Sequence, residues 1–170
     1  MVDKEIIISN NTKSLMPTDY AYLAGFLDGD GSIIAQLVKG DYKYKFTVRI
    51  SVYLYQKKDK HWFFIQLQKK LGYGNIRDRK DGMLEFGVTG AYLSRKFLTP
   101  LLPYLIVKKR IAVLVFNIIE ANESVKNVDD FLKVCKLVDE IATHTYSKKR
   151  KNTSSIVKEI LGLPVETAKF

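Results

Sequence analysis

The stretch from Leu23 to Gly31, reading LAGFLDGDG, constrains the fold more than any other part of this chain. Taken as a helix at about 100° per residue, it puts Ala21, Ala24, Gly25 and Asp28 on one side, a face made almost wholly of tiny side chains. Such a face lets a second backbone approach closely. Glycine inside a helix costs about 1 kcal/mol relative to alanine, so close packing against another helix is the gain that would offset Gly25. The helix then runs into Asp28-Gly29-Asp30-Gly31. Two carboxylates at the negative end of a helix dipole are unfavourable alone and suit a bound divalent cation with oxygen ligands. The plainer reading is an amphipathic helix ending in a turn, with Asp and Gly there for turn chemistry. The context has to separate the two.

Pro17-Thr18 offers the start of this helix, with Thr18 or Asp19 as N-cap, and Tyr20, Leu23 and Leu27 form its larger apolar face. Residues 1 to about 16 read as peripheral. After Gly31 the hydrophobic period switches to two. Ser32 to Val38 reads as a strand, Lys39-Gly40-Asp41 as a turn, and Tyr42 to Tyr55 as a long second strand. In that strand Tyr42, Tyr44, Phe46, Val48, Ile50, Val52 and Leu54 point one way. Lys43, Lys45, Thr47, Arg49, Ser51, Tyr53 and Tyr55 point the other, with no acidic residue among them. His61 to Leu71 predicts a second helix with Trp62, Ile65 and Leu71 inward, ended by Gly72 and Gly74. Asn75 to Arg79, the turn at Lys80-Asp81-Gly82, and Met83 to Thr89 predict a second hairpin. Helices follow over Ala91 to about Leu102, from Lys108-Lys109-Arg110 onward, over about Val128 to Thr143 with the cap near Asn127, and over Ser154 to Leu161. Three cations at a helix N-terminus oppose its dipole and call for a nearby anion.

The expected class is therefore α+β. It has an αββαββ core, a four-stranded antiparallel sheet with a polar, cationic face, and C-terminal helices, all within one domain over 1–170. A basic loop at about 147, Ser147 to Thr153, precedes the last helix.

Charge narrows the partner. Lys and Arg total 28 against 18 Asp and Glu, a net charge of +10. That excess favours a polyanion, nucleic acid before membrane, since no apolar run approaches the roughly 18 residues of a spanning helix. One cysteine, Cys135, excludes an intrachain disulfide framework. His61 and His144 lie far apart, which argues against zinc or histidine-based catalysis. No signal-peptide pattern is present, and Asp3 and Glu5 argue against a transit peptide.

The nonapeptide closely resembles the LAGLIDADG signature of homing endonucleases. It matches at Leu23, Ala24, Gly25, Asp28, Asp30 and Gly31, with Phe26 and Leu27 as hydrophobic variants and Gly29 in place of an alanine. The resemblance extends from roughly Tyr20 to Leu161. It is strongest to the small, single-motif, homodimeric chloroplast-type enzymes encoded by group I introns. GSIIAQ at Gly31 to Gln36, Gln56-Lys57 before Trp62-Phe63, Arg77 to Arg79, and Phe97 to Leu105 ahead of Lys108 carry it.

That resemblance implies a homodimer which binds a long pseudo-palindromic double-stranded DNA target in the major groove and hydrolyses one phosphodiester per strand. Short 3′ overhangs would result and would initiate intron mobility. It implies Mg2+, with Mn2+ as a substitute, and no nucleotide cofactor. Asp30 would bind metal with the carbonyl of Gly29. Gln56 would position solvent, Lys108 would polarise it, and Lys60 would stand for a family arginine in the solvent network. Gln36, Val38, Asp41, Tyr42, Thr47, Arg49, Tyr53, Arg77, Arg79 and Glu85 correspond to the DNA-reading face. Lys148, Lys149, Lys151 and Asn152 correspond to a backbone-clamping loop. Asp28 would be a helix-end structural residue, and Ala21, Ala24, Gly25 and Asp28 would line the dimer interface. An organelle is the implied location, the chloroplast first and the mitochondrion second. The rival readings are a non-cleaving DNA-binding regulator or RNA maturase of the same fold, and an RNA-binding sheet module preferring single strands.

Overall fold

A computed structural model describes residues 14–145 and 150–164. The elements run in the order α1 (Pro17–Asp30), β1 (Gly31–Lys39), β2 (Phe46–Lys57), α2 (His61–Leu71), β3 (Asn75–Asp78), β4 (Met83–Thr89), α3 (Ala91–Leu101), α4 (Lys109–Glu123), α5 (Val128–Thr143) and α6 (Ser154–Ile160). The expected αββαββ order holds. The four strands form one antiparallel sheet in the order β1-β2-β4-β3. Registers are set by Tyr53 opposite Gly87 and Tyr55 opposite Glu85 between β2 and β4, and by Arg77 opposite Glu85 between β3 and β4. Because side chains alternate along a strand, Tyr53, Tyr55, Glu85 and Arg77 share one face, while Val52, Leu54, Leu84, Phe86 and Ile76 share the other.

The chain divides into two compact units. Among the described residues, the first comprises those up to Ile33 together with Ser51–Ala112. In it α1 packs on α3, α3 on β4, and α2 on β3. Leu23, Ala24 and Leu27 are fully buried on the inner side of α1. A file of rings joins the helices to the sheet: Phe26 to Phe63 at 5.6 Å, Phe63 to Phe64 at 5.6 Å, and Phe64 to Phe86 at 5.7 Å between centroids. Edge-on and tilted ring pairs of this kind add about 0.5–1.5 kcal/mol beyond simple burial.

Two local expectations are corrected in this unit. The inner face of α2 is Phe63, Phe64 and Leu67, not Trp62, Ile65 and Leu71, which are only partly covered. An unbroken Trp-Phe-Phe-Ile run fits several helical faces, and the ring file from Phe26 to Phe86 selects one. The N-cap of α1 is Met16, not Thr18 or Asp19. Asp19 lies inside the first turn and accepts the Met16 N–H at 2.8 Å, so it satisfies the helix start from within, while Pro17 sets the first helical φ.

The second unit comprises Ile34–Ile50 together with the described residues from Val113 onward. Its core is built from Phe46 and Ile50 of β2, Val115, Ile118 and Ile119 of α4, Phe131, Cys135, Val138 and Ile141 of α5, and Val157 of α6. Asn127 caps α5 as expected, accepting the Asp130 N–H at 2.9 Å. Here β2 starts at Phe46, four residues later than the alternation suggests. Residues 40–45 form the connection instead: Gly40 N–H donates to the Lys45 carbonyl at 3.0 Å and Lys45 N–H to Tyr42 at 2.8 Å, with Lys45 at φ 60°. Tyr44 leaves the strand pattern to stack on Phe131 at 5.0 Å. Among the described residues, no helix is long and apolar enough to cross a membrane.

Candidate metal centre and nucleic-acid interface

The helix α1 passes into β1 without an intervening turn. Gly31 makes this possible. A Cβ there would sit 2.6 Å from Leu27 Cδ1, 2.8 Å from the Tyr53 carbonyl oxygen and 2.9 Å from that of Leu27. The Asp-Gly-Asp-Gly run is therefore the last turn of a helix and a tight joint, not a turn chosen for Asp and Gly. Its two carboxylates have different fates. Asp28 Oδ2 accepts the N–H groups of Ile106 at 2.8 Å and Val107 at 3.1 Å, and Oδ1 accepts that of Lys108 at 2.8 Å. The Lys108 ammonium in turn donates to the carbonyl oxygen of Asp28. Burial pushes the Asp28 carboxyl up, but the three amides and the Lys108 charge outweigh it and hold it below the usual range. Burial lowers the Lys108 ammonium, against the opposing pull of Asp28 and Asp30. Asp30 is exposed and engages no donor among the described residues.

On the polar side of the sheet, Glu85 is buried to 7% exposure and accepts from Arg77 at 2.9 Å and from Arg79 at 3.5 Å. Arg79 also pairs with Asp81 at 3.0 Å and lies over the Tyr55 ring at 5.2 Å. Tyr53 stacks with Tyr55 at 6.3 Å and covers Gly87, where a Cβ would be 2.9 Å from its ring. The result is a strip of two guanidinium groups and two phenols whose orientations are set before any partner arrives. Arg77, the more exposed of the two arginines, keeps most of its surface open.

In the second unit, Gln36, Leu37, Val38, Arg49, Arg150, Lys151 and Asn152 line a shallow groove of about 430 Å³. The described residues before α6 are pinned there: Asn152 Nδ2 donates to the Leu37 carbonyl at 2.8 Å, and Arg150 donates to that of Val138 at 2.8 Å. Asp139 accepts the Ser154 N–H at 2.9 Å and so anchors the start of α6. Arg49 and Lys151 are exposed.

Comparison with known proteins shows the family. The family model described as LAGLIDADG endonuclease matches residues 23–119. The DNA endonuclease I-CvuI of Chlorella vulgaris is 39% identical over 143 residues, spanning 84% of this chain and 89% of its own. The chain belongs to the LAGLIDADG endonuclease family. The DNA endonuclease I-CreI of Chlamydomonas reinhardtii is 42% identical over 142 residues, spanning 82% of this chain and 86% of its own. A crystal structure of I-CvuI with its target in the presence of calcium superposes with a TM-score of 0.80 at 37% identity, covering 88% of this chain and 98% of that one.

Within this LAGLIDADG chain, Asp30 and Lys108 are brought close enough to interact electrostatically. Gln56 and Lys60 are not bonded to either. The Gln56 side-chain Oε1 accepts the N–H of Lys57 at 2.9 Å, and Lys60 pairs with Asp59 at 2.9 Å. By strand alternation Gln56 falls on the face of Leu54 and Leu84, opposite that of Tyr53 and Arg77. Gln36, Val38, Thr47 and Arg49 lie on strands as expected and Asp41 in the expected turn, but Tyr42 lies in the connection between β1 and β2 and not on β2. Lys148 and Lys149 fall outside the described residues.

The helix face needs a correction. Ala24 is fully buried within its own protomer, because it shares the inner side with Leu23 and Leu27, and Asp28 is occupied by the segment before α4. The exposed small stripe is Ala21, Gly25 and Gly29, spaced by four, and a Cβ at either glycine would meet nothing within 4 Å. Tyr55 and Gly87 were not singled out from the sequence. Tyr55 shares the parity of Tyr53, a signal available in the alternation; Gly87 needed the register.

Proposed function

We propose that this chain is a homodimeric, divalent-metal-dependent, site-specific homing endonuclease acting over its whole length as one domain. The observation that carries this reading is the unequal treatment of the two signature carboxylates. Asp28 is saturated by three amides, while Asp30 stands exposed beside an ammonium at the end of a helix.

The donors fit a hard cation. Asp30 offers a carboxylate, and Gly29 offers one of the last carbonyls of α1, which lack helical partners. Among the described residues of one protomer, no group of three or more His, Cys, Asp or Glu could hold a metal. Two protomers meeting along Ala21, Gly25 and Gly29 would pool two copies of Asp30. Bound Mg2+, or Mn2+ in its place, would supply Lewis acidity and charge neutralisation to phosphodiester hydrolysis. Lys108 holds a positive charge next to Asp30 and stabilises the charge that develops on the phosphate. Gln56 and Lys60 orient solvent at the rim.

The duplex is held by the chain's own cations. Arg77 and Arg79 reach base edges in the major groove, where a fixed guanidinium reads guanine, with Glu85 fixing both. Tyr53 joins these arginines in the first unit; in the second, Gln36, Val38, Asp41, Tyr42, Thr47 and Arg49 read bases and Lys151 contacts the backbone. A two-fold dimer predicts a pseudo-palindromic target. The relatives from Chlorella and Chlamydomonas support an organelle, the chloroplast, as the location.

The test is a cleavage selection with magnesium on a randomised duplex library, run beside Asp30→Asn. Wild type should cut a long near-palindromic site and the variant should not, while both bind it in chelator. Cutting by both would remove Asp30 from the metal centre. Binding without cutting by wild type would move the assignment to a regulator or maturase.

A further inference from the structure

The segment Ile106-Val107-Lys108 lies between α3 and α4 and has little apolar anchorage of its own: Ile106 and Val107 are 85% and 74% exposed. What holds it is one side chain. All three of its N–H groups converge on the Asp28 carboxylate, two on Oδ2 and one on Oδ1. The same residue also receives the Lys108 ammonium on its backbone carbonyl. Lys108 is thus gripped at both ends, by amide and by Nζ, by a residue two positions from Asp30. The carboxylate is also the anion that Lys108, Lys109 and Arg110 call for at the start of α4.

We infer that Asp28 is a positioning residue of the proposed endonuclease: it acts through Lys108, fixing that ammonium beside Asp30, and touches neither substrate nor metal. The inference rests on the role given to Lys108 above. A long lysine side chain left free samples many rotamers, and a misplacement of about 1 Å in a catalytic group can cost about a hundredfold in rate. The Asp28 grip removes that freedom before DNA binds. Asparagine keeps the backbone carbonyl that accepts the ammonium but cannot replace the carboxylate that holds the segment, because one of its two side-chain heads is a donor facing N–H groups that also donate.

The test is a double-mutant cycle on the full-length dimer with Asp28→Asn, Lys108→Ala and the pair. Asp28→Asn should lower kcat by about a hundredfold with the KM for target duplex unchanged, and DNA affinity in chelator should equal that of wild type. The double variant should be no slower than Lys108→Ala alone, because the two residues act as one unit. Losses that multiply, or a fully active Asp28→Asn enzyme, would overturn the inference. A second readout needs neither activity nor metal and covers the case in which Asp28→Asn does not fold. In wild type, the amides of Ile106 and Val107 should exchange with deuterium slowly despite their exposed side chains. Fast exchange there would overturn the inference. If wild type proves unable to cut any duplex, the function fails, while slow exchange would still report the grip.

Discussion

On the inner side of α1, Leu23, Ala24 and Leu27 are completely buried, Asp28 is bonded to three amides, and Gly31 sits where a methyl group would strike the Leu27 and Tyr53 carbonyl oxygens. On the outer side, Ala21, Gly25 and Gly29 are exposed, and Asp30 beside them is exposed too. Every inner residue has a reason within the protomer. Among the described residues nothing gives the outer ones such a reason: two glycines in a helix lower its stability, and a Cβ at either would meet nothing within 4 Å. Residues that cost stability without an intramolecular return point to contacts outside the chain. For the stripe the contact we propose is a second protomer, and for Asp30 a metal ion.

Substitutions on the two sides should break differently. Gly25→Leu should have the largest effect on activity. The protomer should fold at least as stably as wild type, since leucine is the better helix former by up to about 1 kcal/mol, but the dimer and all cleavage should be lost. A monodisperse, active monomer by light scattering would erase the distinction between the two sides. Leu27→Ala should do the reverse, lowering unfolding free energy by about 2–5 kcal/mol as a core cavity opens, with residual dimer still able to cut; urea denaturation reads this. Gly31→Ala should cost about 1–3 kcal/mol by overpacking, because two of its three neighbours are backbone oxygens that cannot swing away. Gly29→Ala should be mildest and opposite in sign, raising protomer stability by up to about 1 kcal/mol while weakening subunit association in sedimentation equilibrium. Loss of protomer stability in Gly29→Ala would mean that this position belongs to the inner side after all.

The strength of local pattern explains which parts were legible in sequence. Caps and turns at Asn127, Gly72 and Lys80-Asp81-Gly82 are short-range signals, and the elements they bound lie where expected. The run from Tyr42 to Tyr55 alternates without a break, yet its first four residues belong to a connection, because Tyr44 finds Phe131, a residue distant in sequence. The inner face of α2 was ambiguous for a similar reason. Four successive large apolar residues satisfy more than one face, and the rings of Phe26 and Phe86 resolve it.

By itself, the sequence determined the αββαββ order, the cationic character of one sheet face, and a helix that ends in two carboxylates beside a stripe of small residues. These follow from hydrophobic period, turn chemistry and composition, which act over a few residues. Only the tertiary structure decided that Asp28 serves the segment before α4, that Ala24 lies in the core, and that Glu85 couples Arg77 to Arg79. Each depends on a partner brought near by chain folding, and hydrogen bonds and burial at such distances leave no trace in local spacing.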